Sequence, residues 1–512
     1  MEDKVIVTNR GALTAKYGPA GFAKIKTAIT ALMAADNTRG LKARLVYLDD
    51  AAAMKKLGAV AVKSSKDIRG AKKAIDGVHK ALRPDYLMIL GSLDVVPHQD
   101  LTNPTFGAGE DDDKFAFGDL PYACDEPYAK DPAKFVGPTR VVGRLPDLTG
   151  ADEPSHLLRL LKFATNWKGR PAKDYEDYFG ITAAVWEGST SLSLDNIFGN
   201  HKTLRIAPPK GPSHPGTDLD GLMQFINCHG ALASPEFYGQ KGNSFPTSLT
   251  TQHVDGKIKE GAIAAVECCF GGELYNSDLL GIDMPICQSY LRQGAYGYLG
   301  STTIAYGPAD GNGAADLICQ YFLLYVLGGA SIGRATLLAR QDFVANASQM
   351  DPVDLKALAQ FCLYGDPSIH PVKTRHAAQA PKDADASETA RFRRGESRAK
   401  AKQTGDFLQA TKPTASKRDT GHRVAPRAKA TLARIAAASG LRRTETFLPF
   451  KVKNAPTAPP GKTKKLATAP SRYYLTIGRP KKSKGAKEPY RVAVIAKEVG
   501  GRIVDYCVYH ER

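Results

Sequence analysis

With 512 residues the chain exceeds the length at which a single hydrophobic core usually stops growing, so more than one domain is expected. Its net charge of +18 is unevenly placed: residues 371–512 hold 33 Lys and Arg against 11 Asp and Glu (+22), and residues 1–370 hold 37 against 41 (−4). The body therefore reads as a slightly acidic globular protein with a basic tail, and the lack of any run of about 18 apolar residues excludes an ordinary membrane-spanning helix.

In chain order, Lys4–Thr8, Ala43–Leu48 and Tyr86–Leu90 are predicted strands, separated by helices over Gly21–Ala35 and Ser65–Leu82. A Gly-, Asp- and Pro-rich stretch from Gly107 to Pro138 is too long and irregular for a plain connection. The pattern resumes with a strand over Arg140–Val142 and a helix over Ala151–Trp167. Strands follow at Ile181–Val185, Met223–Asn227, Ala262–Val266 and Ala295–Leu299, and helices at Ala314–Leu327, Ser331–Ala345 and Pro352–Phe361. This alternation predicts an α/β fold with a mostly parallel sheet. The expected division is an N-terminal lobe over 1–150 and a second unit over 151–372.

Residues 373–470 are dominated by Ala, Lys, Arg, Ser, Thr and Pro, with too few large apolar side chains to offset chain entropy. They read as a mostly disordered basic linker, with one weak helix signal at Ala428–Ala438. Strand patterns return at Tyr473–Ile477, Tyr490–Ala496 and Arg502–Tyr509, predicting a small three-stranded β module over 471–512. Met1–Val7 carries no basic region followed by an apolar one, so no secretory signal is expected. The eight cysteines lack disulfide-scaffold spacing, which suits a reducing, cytoplasmic setting.

Two strand ends carry chemistry. Phe225-Ile226-Asn227-Cys228-His229-Gly230 ends in an imidazole, and Ala265-Val266-Glu267-Cys268-Cys269-Phe270-Gly271-Gly272 ends in thiols. Carboxyl ends of adjacent parallel strands face one crevice, and a His and a Cys meeting there make a nucleophile and its base. The competing reading is packing, since Cys behaves as a small buried hydrophobe. Zinc is disfavoured because the adjacent pairs Cys228-His229 and Cys268-Cys269 point to opposite faces of their strands. Asp111-Asp112-Asp113 offers oxygens to a calcium ion, but hard cations need six or more. The better reading is a solvated acidic loop, so no cofactor is required.

At these residues the chain resembles the gingipain-like cysteine peptidases, relatives of caspases and legumains, over roughly residues 80–370. Asn227-Cys228-His229-Gly230 matches the family's His-Gly strand end, and Glu267-Cys268-Cys269 resembles its Glu-Ala-Cys element. Leu87–Pro97, Asp113–Gly118, Val141–Pro146, Gly294–Ser301 and Tyr364–Ser368 resemble flanking segments in the same order, whereas the family's secretion signal and Ig-like module are not apparent. The resemblance implies a caspase-like three-layer sandwich and a cysteine endopeptidase with Cys269 as nucleophile and His229 as acid-base. It also implies Glu187 as the carboxylate orienting His229, and Gly230 and Cys269 N–H groups as oxyanion donors. Asp195 falls near the residue lining the S1 pocket in Arg-specific members, implying Arg or Lys at P1; the competing roles are a solvated loop Glu and a helix N-cap.

The expected partner is a protein or peptide substrate, with no membrane. For the tail, a plain linker ranks first, self-cleavage within 373–470 second and nonspecific nucleic-acid binding third. The reading from a different class is a catalytically silent scaffold on a caspase-like fold.

Overall fold

The computed structural model describes residues 2–373, 384–442, 446–453, 471–480 and 490–512. Its body strands are β1 (Lys4–Thr8), β2 (Ala43–Tyr47), β3 (Tyr86–Leu90), β4 (Val142–Leu145), β5 (Tyr178–Ala183), β6 (Leu204–Ala207), β7 (Met223–Asn227), β8 (Ile263–Val266), β9 (Gly297–Ser301), the short β10 (Tyr306–Gly307) and β11 (Phe361–Tyr364). All except β10 form one ten-stranded sheet in the order β2-β1-β3-β4-β11-β9-β8-β7-β5-β6. Every neighbouring pair is parallel except β9 and β11, where Leu299 faces Leu363. That antiparallel seam turns the two halves of the sheet in opposite directions, so β5, β7, β8 and β9 all end on the same edge.

Parallel strands covered on both faces must be apolar on both. In β7 and β8 every residue is buried, and successive side chains enter different cores. Phe225 and Ala265 join one core with Ile318 and Phe322 of helix Ala315–Leu327, Phe343 of Ile332–Asn346 and Leu358 of Pro352–Gln360. Ile226 and Val266 join the other with Ile25 of helix Arg10–Thr38, Ile75 of Ile68–Leu82 and Leu161 of Ser155–Asn166. The chain is thus α/β with helices on both faces of a mostly parallel sheet.

The sequence places the first helix at Gly21, but it begins at Arg10, capped by the Asn9 side chain accepting from Ala12 N–H. It runs through a kink in which Gly18 takes φ +66° ahead of Pro19. Pro tolerates such a break because it supplies no N–H to the helix ladder.

Composition reads the basic stretch as a mostly disordered linker; within it, residues 374–383, 443–445 and 454–470 lie outside the described residues, and the described ones carry regular structure. Residues 384–411 form a helix laid along the body: its Leu408 joins the first core, and Arg394 pairs with Asp3 at 3.2 Å, Arg398 with Asp85 at 2.6 Å and Lys402 with Asp125 at 3.0 Å. Strands β12 (Thr414–Arg418) and β13 (Leu448–Lys453) then join β14 (Ser471–Gly478), β15 (Val492–Val499) and β16 (Arg502–Glu511). With β10 from the body they form a six-stranded sheet, β10-β16-β15-β14-β13-β12. The expected three strands are present, widened by β13 and by β12, a Lys- and Arg-bearing strand whose charge suits its place at the edge. The turn expected at Arg479–Ala486 and the Lys462–Lys465 cluster lie largely outside the described residues. Leu475, Ile477, Ile495 and Tyr509 share the body's core with Phe322 and Leu358, so this sheet is packed on the body. Among the described residues no helix is long and apolar enough to cross a membrane.

Candidate active site

Strands β7 and β8 run in register, Phe225 opposite Ala265 and Ile226 opposite Val266, so His229 and Cys269 leave the sheet side by side. Gly230 lies against the Cys269 backbone, and a Cβ there would fall on the Cys269 carbonyl oxygen; only glycine permits the approach. Cys268 and Cys269 face opposite ways. Cys268 Sγ accepts from Cys228 N–H at 3.4 Å within one core, whereas Cys269 Sγ accepts from Ala305 N–H at 3.1 Å on the other side. Phe270, immediately after Cys269, takes φ +55°, a left-handed conformation that costs a non-glycine residue about 1–3 kcal/mol and gathers at functional sites.

The His229 ring is held among Trp186, Phe245 and Tyr490, with centroids at 4.3, 5.2 and 5.9 Å. Its Nε2 meets Gln240 Oε1 at 2.7 Å. Gln240 donates its own amide to Gly242 O at 3.0 Å, which fixes the carbonyl end toward the imidazole. Nε2 therefore carries the proton and Nδ1 is the basic nitrogen. Burial, aided by Arg512 and His510 and opposed by the Gln240 bond, pushes His229 down to about 3. Burial first, then Glu511, pushes the Cys269 thiol well above its ordinary value. The pair as seated is a neutral thiol beside a neutral imidazole.

The cleft holds Arg512 of the same chain. Gly230 N–H and Cys269 N–H both donate to the Arg512 carbonyl oxygen, at 3.3 and 3.0 Å, while Arg512 N–H donates to Ala305 O at 3.0 Å. Behind it, Glu511 pairs with Tyr306 and His510 with Gly307 as β16 runs antiparallel to β10. The guanidinium enters a buried pocket. Its Nη2 donates to Asp316 Oδ1 at 2.9 Å, Pro308 O at 2.7 Å and Ser189 Oγ at 3.3 Å, and Cζ lies 4.5 Å from the centre of the Trp186 ring. Glu267 stands 3.8 Å from Nε. Burial first, then the neighbouring Asp316, push the Glu267 carboxyl well up, against the pull of Arg512. Gly307 forms the wall, where any Cβ would overlap the guanidinium.

Asp195 is elsewhere. It lies exposed on helix Glu187–Phe198, 2.8 Å from His201 Nδ1; the carboxylates beside the arginine are Asp316 and Glu267. Strand β5 stops at Ala183, which makes Glu187 the exposed first residue of that helix and puts Trp186 in the site instead. The signal for Asp316 in the sequence is a carboxylate in the first turn of an otherwise apolar helix, which capping explains equally well.

The acidic loop is not solvated throughout, as the sequence suggests. Lys356 Nζ bridges Asp111 at 2.7 Å and Asp113 at 3.0 Å, and only Asp112 points outward. A second group, His98, Asp119 and Cys362, has its ligand atoms within 4.8 Å of one another and is buried. Asp119 is occupied by Arg144, at 2.6 and 2.8 Å. Burial pushes His98 down to about 4 and Cys362 up to about 12, which leaves both neutral.

Fold and site together define an α/β protein whose own Arg512 is seated in a cleft at the carboxyl ends of parallel strands. The sequence matches no protein-family model, and no curated protein matches it. It is similar to a solved structure called "Structure of Protease" at 13% identity, over 99% of this chain and 97% of that one, with a TM-score of 0.46, too loose a likeness to carry an argument.

Proposed function

We propose that this protein is a cysteine endopeptidase that cleaves after arginine, of the kind its sequence resembles in the gingipain-like peptidases. The observation that carries the reading is Arg512, whose carbonyl oxygen takes two backbone N–H groups beside a thiol while its guanidinium meets a buried carboxylate. A substrate arginine in the same place presents its carbonyl carbon to Cys269 Sγ. The thiol proton passes to Nδ1 of His229 as sulfur adds, and the oxyanion rests on the Gly230 and Cys269 N–H groups. Collapse breaks the peptide C–N bond, and His229 returns the proton to the leaving amine. Water then attacks the thioester, giving the new carboxylate and restoring the thiol.

In this reading Gln240, not Glu187, sets the His229 tautomer, and Asp316 with Glu267 replaces Asp195 in S1. Arginine is favoured over lysine because a guanidinium places Nη2 on Asp316, Pro308 O and Ser189 while its Cζ stays 4.5 Å from the centre of the Trp186 ring. The same preference extends to the chain's own basic stretch 373–470, although residues 384–411 must unwind before an extended-strand cleft accepts them.

The test uses Arg-, Lys- and Asp-P1 fluorogenic peptides and protein carrying Arg512→Ala, which vacates the pocket. Turnover of the Arg peptide, abolished by adding Cys269→Ala, is expected. Equal rates with and without Cys269 would leave the silent-scaffold reading standing.

A further inference from the structure

We propose that β16 is a built-in competitive inhibitor: Arg512 is bound as the P1 residue of the chain's own cleft, and substrate enters only after this strand has left. The inference rests on the peptidase reading and adds its regulation. Three observations carry it. First, residues 510–512 satisfy the cleft's backbone as an extended substrate would, through the Glu511–Tyr306 and His510–Gly307 pairs and the Arg512 hydrogen bonds to Ala305, Gly230 and Cys269. Second, Arg512 is fully buried, a position that folding alone does not favour for a guanidinium, because desolvation of a buried ion pair offsets most of its attraction. Third, the seated strand closes the site: Cys269 is fully buried, His229 is 7% exposed, and Tyr490 lies over the imidazole.

The inhibitor is held by more than its last residue. Ile477 N–H donates to Ala108 O at 2.5 Å, Arg491 pairs with Asp112 at 3.2 Å, and Arg479 pairs with Glu110. These anchors fall on the 107–113 loop, whose Asp111 and Asp113 are fixed by Lys356. Glu511 is in turn held by Arg491 at 2.7 Å. The tethered strand therefore acts at a high effective concentration, and its departure needs only the final residues to peel from β10.

The experiment measures alkylation of Cys269 by iodoacetamide, followed by peptide mass spectrometry, in the 512-residue protein and in Arg512→Ala and Arg512→Lys variants. Cleavage of an Arg-P1 peptide is followed in parallel, and circular dichroism reports that each variant is folded. Vacating the pocket raises the accessible fraction, so Arg512→Ala is expected to alkylate Cys269 at least about tenfold faster, with Arg512→Lys between the two. A free peptide of residues 506–512 is expected to slow the Arg512→Ala variant again. Equal alkylation of Cys269 in all three folded proteins would overturn the inhibitor. Faster alkylation without any peptide cleavage would uphold the occupied cleft and overturn the peptidase reading.

Discussion

Asp316 and Gly307 line the pocket that holds the Arg512 guanidinium, and in the proposed reading they decide what it accepts. Asp316 supplies the formal charge opposite the guanidinium, and both carboxylate oxygens lie within 3.2 Å of Nη2. Replacing it with Asn leaves the cation in a dry pocket with only Glu267, 3.8 Å from Nε, a loss of about 3 kcal/mol or roughly a hundredfold. In the Arg512→Ala background, Asp316→Asn is expected to lower kcat/KM for an Arg-P1 peptide by that factor while sparing Cys269 alkylation. An unchanged kcat/KM would remove Asp316 from the pocket. Gly307→Ala, measured in the same assay, is expected to reduce Arg turnover more than turnover of a small-P1 peptide, because the added methyl occupies guanidinium space. At this scale the sequence was half legible. His229 and Cys269 stand out because apolar strands end at them, and glycine follows each within two residues. Asp316, Glu267 and Gln240 do not stand out, since a carboxylate in a helix's first turn, an acid beside a cysteine pair and a loop amide each have an ordinary local explanation.

Among elements, the helix over 384–411 is the one whose docking depends most on charge. Arg394 reaches both Asp3 and Asp85, Arg398 adds a second bond to Asp85, and Lys402 reaches Asp125, which Arg140 also pairs. Arg140 and Lys402 outweigh burial and hold the Asp125 carboxyl down to about 2. A depressed carboxylate stabilises above its ordinary pKa and ceases to as pH falls through its folded value, so this anchor weakens from about pH 4 toward pH 2. At about 1 M salt the screening length falls to about 3 Å, and the exposed pairs lose most of their attraction. Amide exchange within 391–411 is expected to accelerate in 1 M NaCl and in Asp85→Asn, while exchange in β7 and β8 stays unchanged. A helix equally protected in high salt would show that packing holds it. The apolar central strands are legible from sequence because burial on both faces leaves only one composition. This helix is not, because the acidic partners of Arg391 and Arg398, Asp3 and Asp85, lie more than 300 residues away in sequence.

At the scale of the whole molecule, the seating of β16 couples the site to pH, and the sign follows from the groups around it. His229 is held down to about 3 and His510 to about 4, both chiefly by burial, with Arg512 repelling each and Asp310 pulling His510 the other way. Once β16 leaves, both imidazoles return toward their ordinary value near 6.5. Between roughly pH 6.5 and pH 4 the released state thus binds protons that the seated state excludes, and release grows more favourable as pH falls. Glu511 is paired with Arg491, which also binds Asp112 of the 107–113 loop. The readout is built in: Trp186 lies against both His229 and Arg512, and the sequence holds one other tryptophan, Trp167. In a Trp167→Phe protein, Trp186 fluorescence is expected to change with a midpoint between pH 4 and 6.5. With Arg512→Ala added, the released signal is expected across the whole range. A Trp186 signal flat from pH 7.5 to pH 4 in the singly substituted protein would mean that β16 does not leave under acid.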